Sequence, residues 1–280
     1  MNIQDLVVHV PPHGDGPDHG VKLAFDLAAR QGSHVTAIID EVRLTSLDNP
    51  SATSEADERL RQEINERSRD QAQRLAHAVA TAAEAVGIRH EVVIEPTFSY
   101  QVGQVFADYL RVRALGIVGV HGALEGDIRL LIETALFETG RPVILVPPTA
   151  SSTLGSDRVM VAWDATPAAV HAVTAAMPFL RAAREVLVVH VTDDKAFQRG
   201  RSGIELCHHL SRHGVQTQFA PVQRGDQDVA DALLEAARVH DVGLLVMGAY
   251  AHSALRRLIF GSATRGMFER SFDVPILMAN

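Results

Sequence analysis

Short apolar runs of strand length alternate with amphipathic stretches of helical length along this chain, and they do so twice in the same order. In the second half, Val159 to Trp163, Val186 to Val191, Val215 to Val222, Leu244 to Met247 and Val274 to Met278 read as strands. Ala168 to Arg181, the stretch around Cys207 to His213, Val229 to Val239 and Thr264 to Arg270 read as helices. In the first half, strands are expected at Leu6 to Val10, Val35 to Ile39, Ile88 to Ile94, Ile117 to Val120 and Val143 to Val146. Helices are expected at Val21 to Arg30, Ser54 to Val86, Val102 to Val112 and Ile128 to Glu138. Apolar strands separated by helices imply a parallel sheet covered on both faces. The expected class is therefore α/β: two Rossmann-like domains, each a mostly parallel five-stranded sheet with helices on both faces.

Internal similarity points to duplication. Arg111-Val112-Arg113 precedes Gly116-Ile117-Val118, and Arg238-Val239-His240 precedes Gly243-Leu244-Leu245 at the same spacing. Each half also ends in a strand that contains or follows proline, Pro142 to Val146 and Val274 to Met278. Pro147 to Ser156 is rich in Pro, Ser and Thr, which is linker composition. The expected domains are residues 1–148 and 157–280.

Composition narrows the function. The net charge is −8 and no Lys/Arg-rich tract is present, so a nucleic-acid surface is not expected. No apolar run is long enough to span a membrane, and Met1 to Val10 lacks the pattern of a secretory signal. Cys207 is the only cysteine, which fits a reducing cytoplasm. Gly-x-Ser-x-Gly and Walker A patterns are both absent.

The most informative segment is Met247 to Thr264. A strand ends at Gly248, a loop follows, and Gly261-Ser262 opens the next helix. A helix start has bare N–H groups and a partial positive charge, and a neighbouring glycine lets an anion approach. The spacing of Gly248, Ala251 and Gly261-Ser262 resembles the phosphate loop of the universal stress protein family: Gly, two residues, Gly, nine residues, Gly-Ser/Thr. The strand and helix order extends that resemblance over nearly the whole chain.

The resemblance implies a cytoplasmic stress-response protein that binds ATP or another adenine nucleotide in its second half, with Mg²⁺ bridging the phosphates. It assigns Asp164 to the adenine and ribose, and the backbone of Val191, after His190, to reading adenine. It places the ribose and phosphates along Gly248, Ala251, His252, Gly261, Ser262 and Ala263. Ala251 departs from the pattern, because it stands where the family has glycine. An alanine forced to positive φ costs about 1 kcal/mol, so affinity is expected to fall by about tenfold or less. His252 is read either as a phosphate donor or as an exposed loop histidine. Arg256, Arg257 and Arg265 flank the loop, either as phosphate partners or as solvated helix charges. No general base is placed beside the phosphates, so turnover, if any, is expected to be slow.

In the first half Pro11 stands where Asp164 does in the second. Gly119 and Gly122 are followed by Ile132-Glu133 where Gly-Ser is needed, and no nucleotide is expected there. In family members the closing strands of two domains pair across a dyad, and here Val143–Val146 and Val274–Met278 can do so within one chain. A homodimer through closing strands or exposed helices is the partner expectation. His9 is read as a hydrogen-bonded core histidine, and His209 and His213 as surface residues rather than a zinc pair. Two alternatives stay open: a ligand-free interaction module of the same fold, and an adenylating or electron-transfer enzyme of the wider class.

Overall fold

A computed structural model describes residues 3–45, 48–51, 54–98, 101, 103–150, 154, 157–193, 202–249 and 262–280. The first half runs β1 (Asp5–Val10), α1 (His19–Gln31), β2 (His34–Arg43), α2 (Glu55–Val86), β3 (Arg89–Phe98), α3 (Gln104–Arg111), β4 (Leu115–Gly119), α4 (Gly126–Glu138) and β5 (Val143–Val146). The second runs β6 (Arg158–Ala162), α5 (Pro167–Ala182), β7 (Glu185–Val191), α6 (Ser202–Arg212), β8 (Thr217–Val222), α7 (Val229–Val239), β9 (Leu244–Gly248), α8 (Ser262–Phe268) and β10 (Ile276–Ala279). The expected α/β class is borne out.

All the strands lie in one sheet, ordered β3-β2-β1-β4-β5-β10-β9-β6-β7-β8. Within each half every pairing is parallel. The halves join where β5 and β10 run antiparallel, with Ile276 opposite Leu145 and Met278 opposite Val143. The closing strands thus pair inside one chain, and each has both edges hydrogen-bonded. Neither therefore offers a free edge to a second copy.

Two apolar layers sandwich the sheet. One packs α1, α2, α5 and α6 against it, and the other packs α3, α4, α7 and α8. Local sequence explains the longest element. Ser54 and Asp57 form a reciprocal capping box that starts α2, and Gly87 ends it at φ +73°. Only Ala72, Leu75, Val79 and Ala83 of α2 are buried, a stripe at three- and four-residue spacing that faces β2 and β3.

β2 runs four residues beyond the expected end at Ile39. Asp40 and Glu41 look like a strand terminus, yet both are buried. Asp40 Oδ2 lies 3.1 Å from His9 Nε2, and Thr97 Oγ1 donates to Asp40 Oδ1 at 2.9 Å. Arg43 Nε donates to Glu41 Oε1 at 2.8 Å, and Arg69 lies 3.5 Å away. Paired charges can be buried where lone ones cannot. His9 is the hydrogen-bonded core histidine that was expected.

Candidate functional site

Open α/β sheets bind ligands beyond the C-terminal ends of their strands, at the point where strand order reverses. In the second half that point lies between β6 and β9, with β7 on the far side of β6. Asp164 stands two residues past the end of β6 and is exposed. Its Oδ1 accepts from Thr166 N–H at 3.0 Å and from Thr166 Oγ1 at 2.7 Å. The intervening Ala165 is left-handed, at φ +58°, a conformation that favours glycine. Thr166 also caps α5, accepting from Ala169 N–H at 3.2 Å, and Pro167 follows at the first helical position. One turn therefore fixes both the Asp164 carboxylate and the start of α5. The Thr166-Pro167 pair is a helix-start signal in the sequence and could have located this turn.

Val191, the last residue of β7, is 8% exposed. Strand parity shows where its main chain points. Val186 N–H donates to Gln216 O and Thr192 N–H to Val222 O, so even-numbered residues face β8. Val189 O accepts from Trp163 N–H at 2.8 Å, so odd-numbered residues face the β6 side. Val191 thus turns its N–H and C=O toward β6 beyond the end of that strand, into the crevice. The Trp163 carbonyl that would continue the ladder lies 3.2 Å from His190 Nδ1. Trp163 Nε1 is buried with no hydrogen-bond partner among the described residues. At the rim, Asp193 accepts from Arg224 N–H and Gly225 N–H, both at 2.9 Å. Those hydrogen bonds hold its carboxyl below the usual carboxylate range.

Gly248 ends β9, on the other side of the crevice. A β-carbon there would lie 2.6 Å from Ala169 N and 2.8 Å from the Ala168 carbonyl carbon. Its glycine is required by the close approach of α5, a packing reason that phosphate-loop reasoning missed. Ser262 is the first residue of α8, and Ala263 is half-buried against the α7 side of the core. Arg270 fastens α8 to α7, donating Nη2–H to Asp231 Oδ2 at 2.9 Å and bonding Asp228. Arg265 pairs with Glu269 Oε1 at 2.7 Å, which matches the reading of a solvated helix charge. Ala251, His252, Gly261, Arg256 and Arg257 lie outside the described residues. The structure thus brings Asp164, Val191 and Gly248 around one crevice.

The same positions in the first half are built differently. Gln4 O accepts from His34 N–H as Asp157 O accepts from Glu185 N–H, which sets the two halves in register. Pro11 then stands at Asp164, His9 at Ala162 and Asp40 at Val191. A buried His9–Asp40–Thr97 cluster occupies that end of the sheet, and Tyr109 donates to Glu95 Oε1 at 2.7 Å beside it. That hydrogen bond pushes the Tyr109 hydroxyl up to about 12.

The described residues thus offer an exposed carboxylate at one strand end, and a main-chain donor and acceptor turned off the ladder at the next. Among the described residues no group of three or more His, Cys, Asp or Glu is placed to hold a metal ion. His209 and His213 meet edge to face, 4.7 Å between ring centroids. No helix among the described residues is long and apolar enough to cross a membrane.

No family model matches the chain, and no curated protein does. Solved structures do. A universal stress protein from Archaeoglobus fulgidus DSM 4304 superposes with a TM-score of 0.68 at 16% identity, over 98% of this chain and 96% of that one. A putative universal stress protein from Pseudomonas aeruginosa UCBPP-PA14 gives 0.56 at 14%, over 99% and 93%. A functionally unknown protein from Pseudomonas aeruginosa PAO1 gives 0.55 at 15%, over 99% and 92%.

Proposed function

We propose, from a chain that has the universal stress protein fold along nearly its whole length, that the second half binds ATP or another adenine nucleotide. In this reading the protein is a stress-response protein of the cytoplasm whose conformation or partner choice follows nucleotide occupancy. One observation carries it: at adjacent strand ends, Val191 presents a main-chain donor and acceptor off the ladder, beside the exposed Asp164 carboxylate. That combination suits an adenine edge and ribose hydroxyls, since a carboxylate accepts strongly from hydroxyl donors. Gly248, Ala251, His252, Gly261, Ser262 and Ala263 would line the ribose and phosphates. Mg²⁺, where present, would bridge the phosphates and offset their charge.

Binding is the proposed activity, with turnover at most slow. A homodimer, if formed, would use exposed helices, because the closing strands are engaged within the chain.

The first test uses protein as purified. Heating it and analysing the supernatant for nucleotide, then titrating the stripped protein with ATP and Mg²⁺ while following Trp163 fluorescence, is expected to give a released adenine nucleotide or a saturable signal. Neither released nucleotide nor any change at millimolar ATP would leave the fold as a ligand-free interaction module.

A further inference from the structure

We propose that a groove along the outer flank of α5 is a second ligand site, shaped for an apolar chain that carries one carboxylate. The groove measures about 820 Å³, within the usual span of small-molecule sites, roughly 300–1,000 Å³. One wall is a stripe of α5 through His171, Thr174, Pro178 and Arg181, whose three- and four-residue spacing puts them on one face. Ten residues of helix span about 15 Å, so the groove is elongated. The facing wall comes from the other half: Ile3, Ala114 and Pro142, just ahead of β1, β4 and β5.

Charge complementarity selects the occupant. Most of the lining is apolar, its charged side chains are Arg141 and Arg181, and three histidines, His171, His209 and His213, also line it. No Asp or Glu lines it, in a chain whose 34 acidic residues outnumber 26 Lys and Arg. An apolar trough whose charged side chains are both guanidiniums favours a molecule with an apolar body and an anionic end.

The position of that end follows from the partners these side chains already have. Arg141 Nε donates to Arg111 O at 3.2 Å, and His171 Nδ1 lies 3.0 Å from Asn280 O. Arg181 instead donates Nη2–H to a neutral acceptor, His213 Nδ1, at 3.2 Å, and no ion pair of Arg181 with a carboxylate occurs among the described residues. A guanidinium so oriented keeps other N–H groups for a carboxylate, and His209 meets His213 edge to face beside it. The carboxylate therefore sits at Arg181, and the chain runs along α5 toward His171. Asp164, Val191 and Gly248 take no part in this groove.

The test is calorimetric titration of the full-length protein with dodecanoate below its micelle concentration, with dodecyltrimethylammonium as the control of opposite charge. Saturable one-to-one binding of dodecanoate is expected, at least tenfold tighter than the cation. Arg181→Gln is expected to weaken it about tenfold by removing a charge-assisted bond. Thr174→Trp, at an exposed position, is expected to block the groove. Circular dichroism confirms that both variants are folded, and Asp164→Ala is expected to bind dodecanoate as wild type does. Absence of saturable binding, equal affinity for the cation, or wild-type affinity in either groove variant overturns the assignment.

Discussion

Asp40 and Val191 occupy equivalent places in the two halves, and the difference between them separates a sealed strand end from an open one. Burial alone would raise the Asp40 carboxyl, but the hydrogen bond and charge of His9, with the Thr97 hydroxyl, outweigh it and hold the group below its usual value of 3.8. A depressed folded-state pKa adds stability that is fully present above the unfolded value and is lost as pH falls through the folded one. Asp40→Asn is expected to cost about 2 kcal/mol at neutral pH, measured by urea unfolding. Its deficit against wild type should shrink as pH is lowered below about 4. A deficit that stays constant down to pH 2 would contradict the pairing. His9 was legible as a polar intrusion in an apolar strand. Asp40 was not, because a charged residue at the end of an apolar run reads as a terminus until its buried partner is known. Asp164 was found only through family resemblance, since no local pattern separates it from any exposed aspartate.

At the scale of elements, helix signals were the most legible. The helix expected from Ser54 meets α2 to within a residue at its N-terminus, where the structure shows a capping box. Strand ends were less so: β3 continues to Phe98 through Pro96, which an outer strand tolerates. Gly248 shows a different gap. Phosphate-loop reasoning explains a glycine there by ligand approach, whereas the backbone of α5 lies where its β-carbon would be. Gly248→Ala is expected to destabilise the protein by about 1–3 kcal/mol in urea unfolding, because α5 must shift. It should also lower nucleotide affinity, because α5 and the Asp164 turn are fixed by the same Thr166. Wild-type stability in Gly248→Ala would contradict the close packing.

The whole molecule is one sheet, and the antiparallel β5–β10 contact makes two parallel halves continuous. One apolar layer includes Ile144 and Leu277 from either side of that junction. The two halves are therefore expected to unfold together. Trp163, the only tryptophan, reports the second half, and far-ultraviolet circular dichroism reports both. Coincident urea midpoints are expected, and two separated transitions would contradict a shared core. The doubled order of strands and helices was legible from periodicity, because parallel strands buried on both faces are apolar throughout. The crevice was legible only in part, because the direction in which Val191 turns its amide depends on the register with β6 and β8, which residue types do not encode. The claim on which the rest depends is that this crevice holds an adenine nucleotide. Calorimetric titration of the stripped full-length protein with ATP and Mg²⁺, beside Asp164→Ala, tests it most directly. The account predicts saturable one-to-one heat that weakens about tenfold in the variant, as expected for loss of a charge-assisted bond to the ribose. No heat at millimolar ATP, or the same affinity with and without the carboxylate, would contradict it.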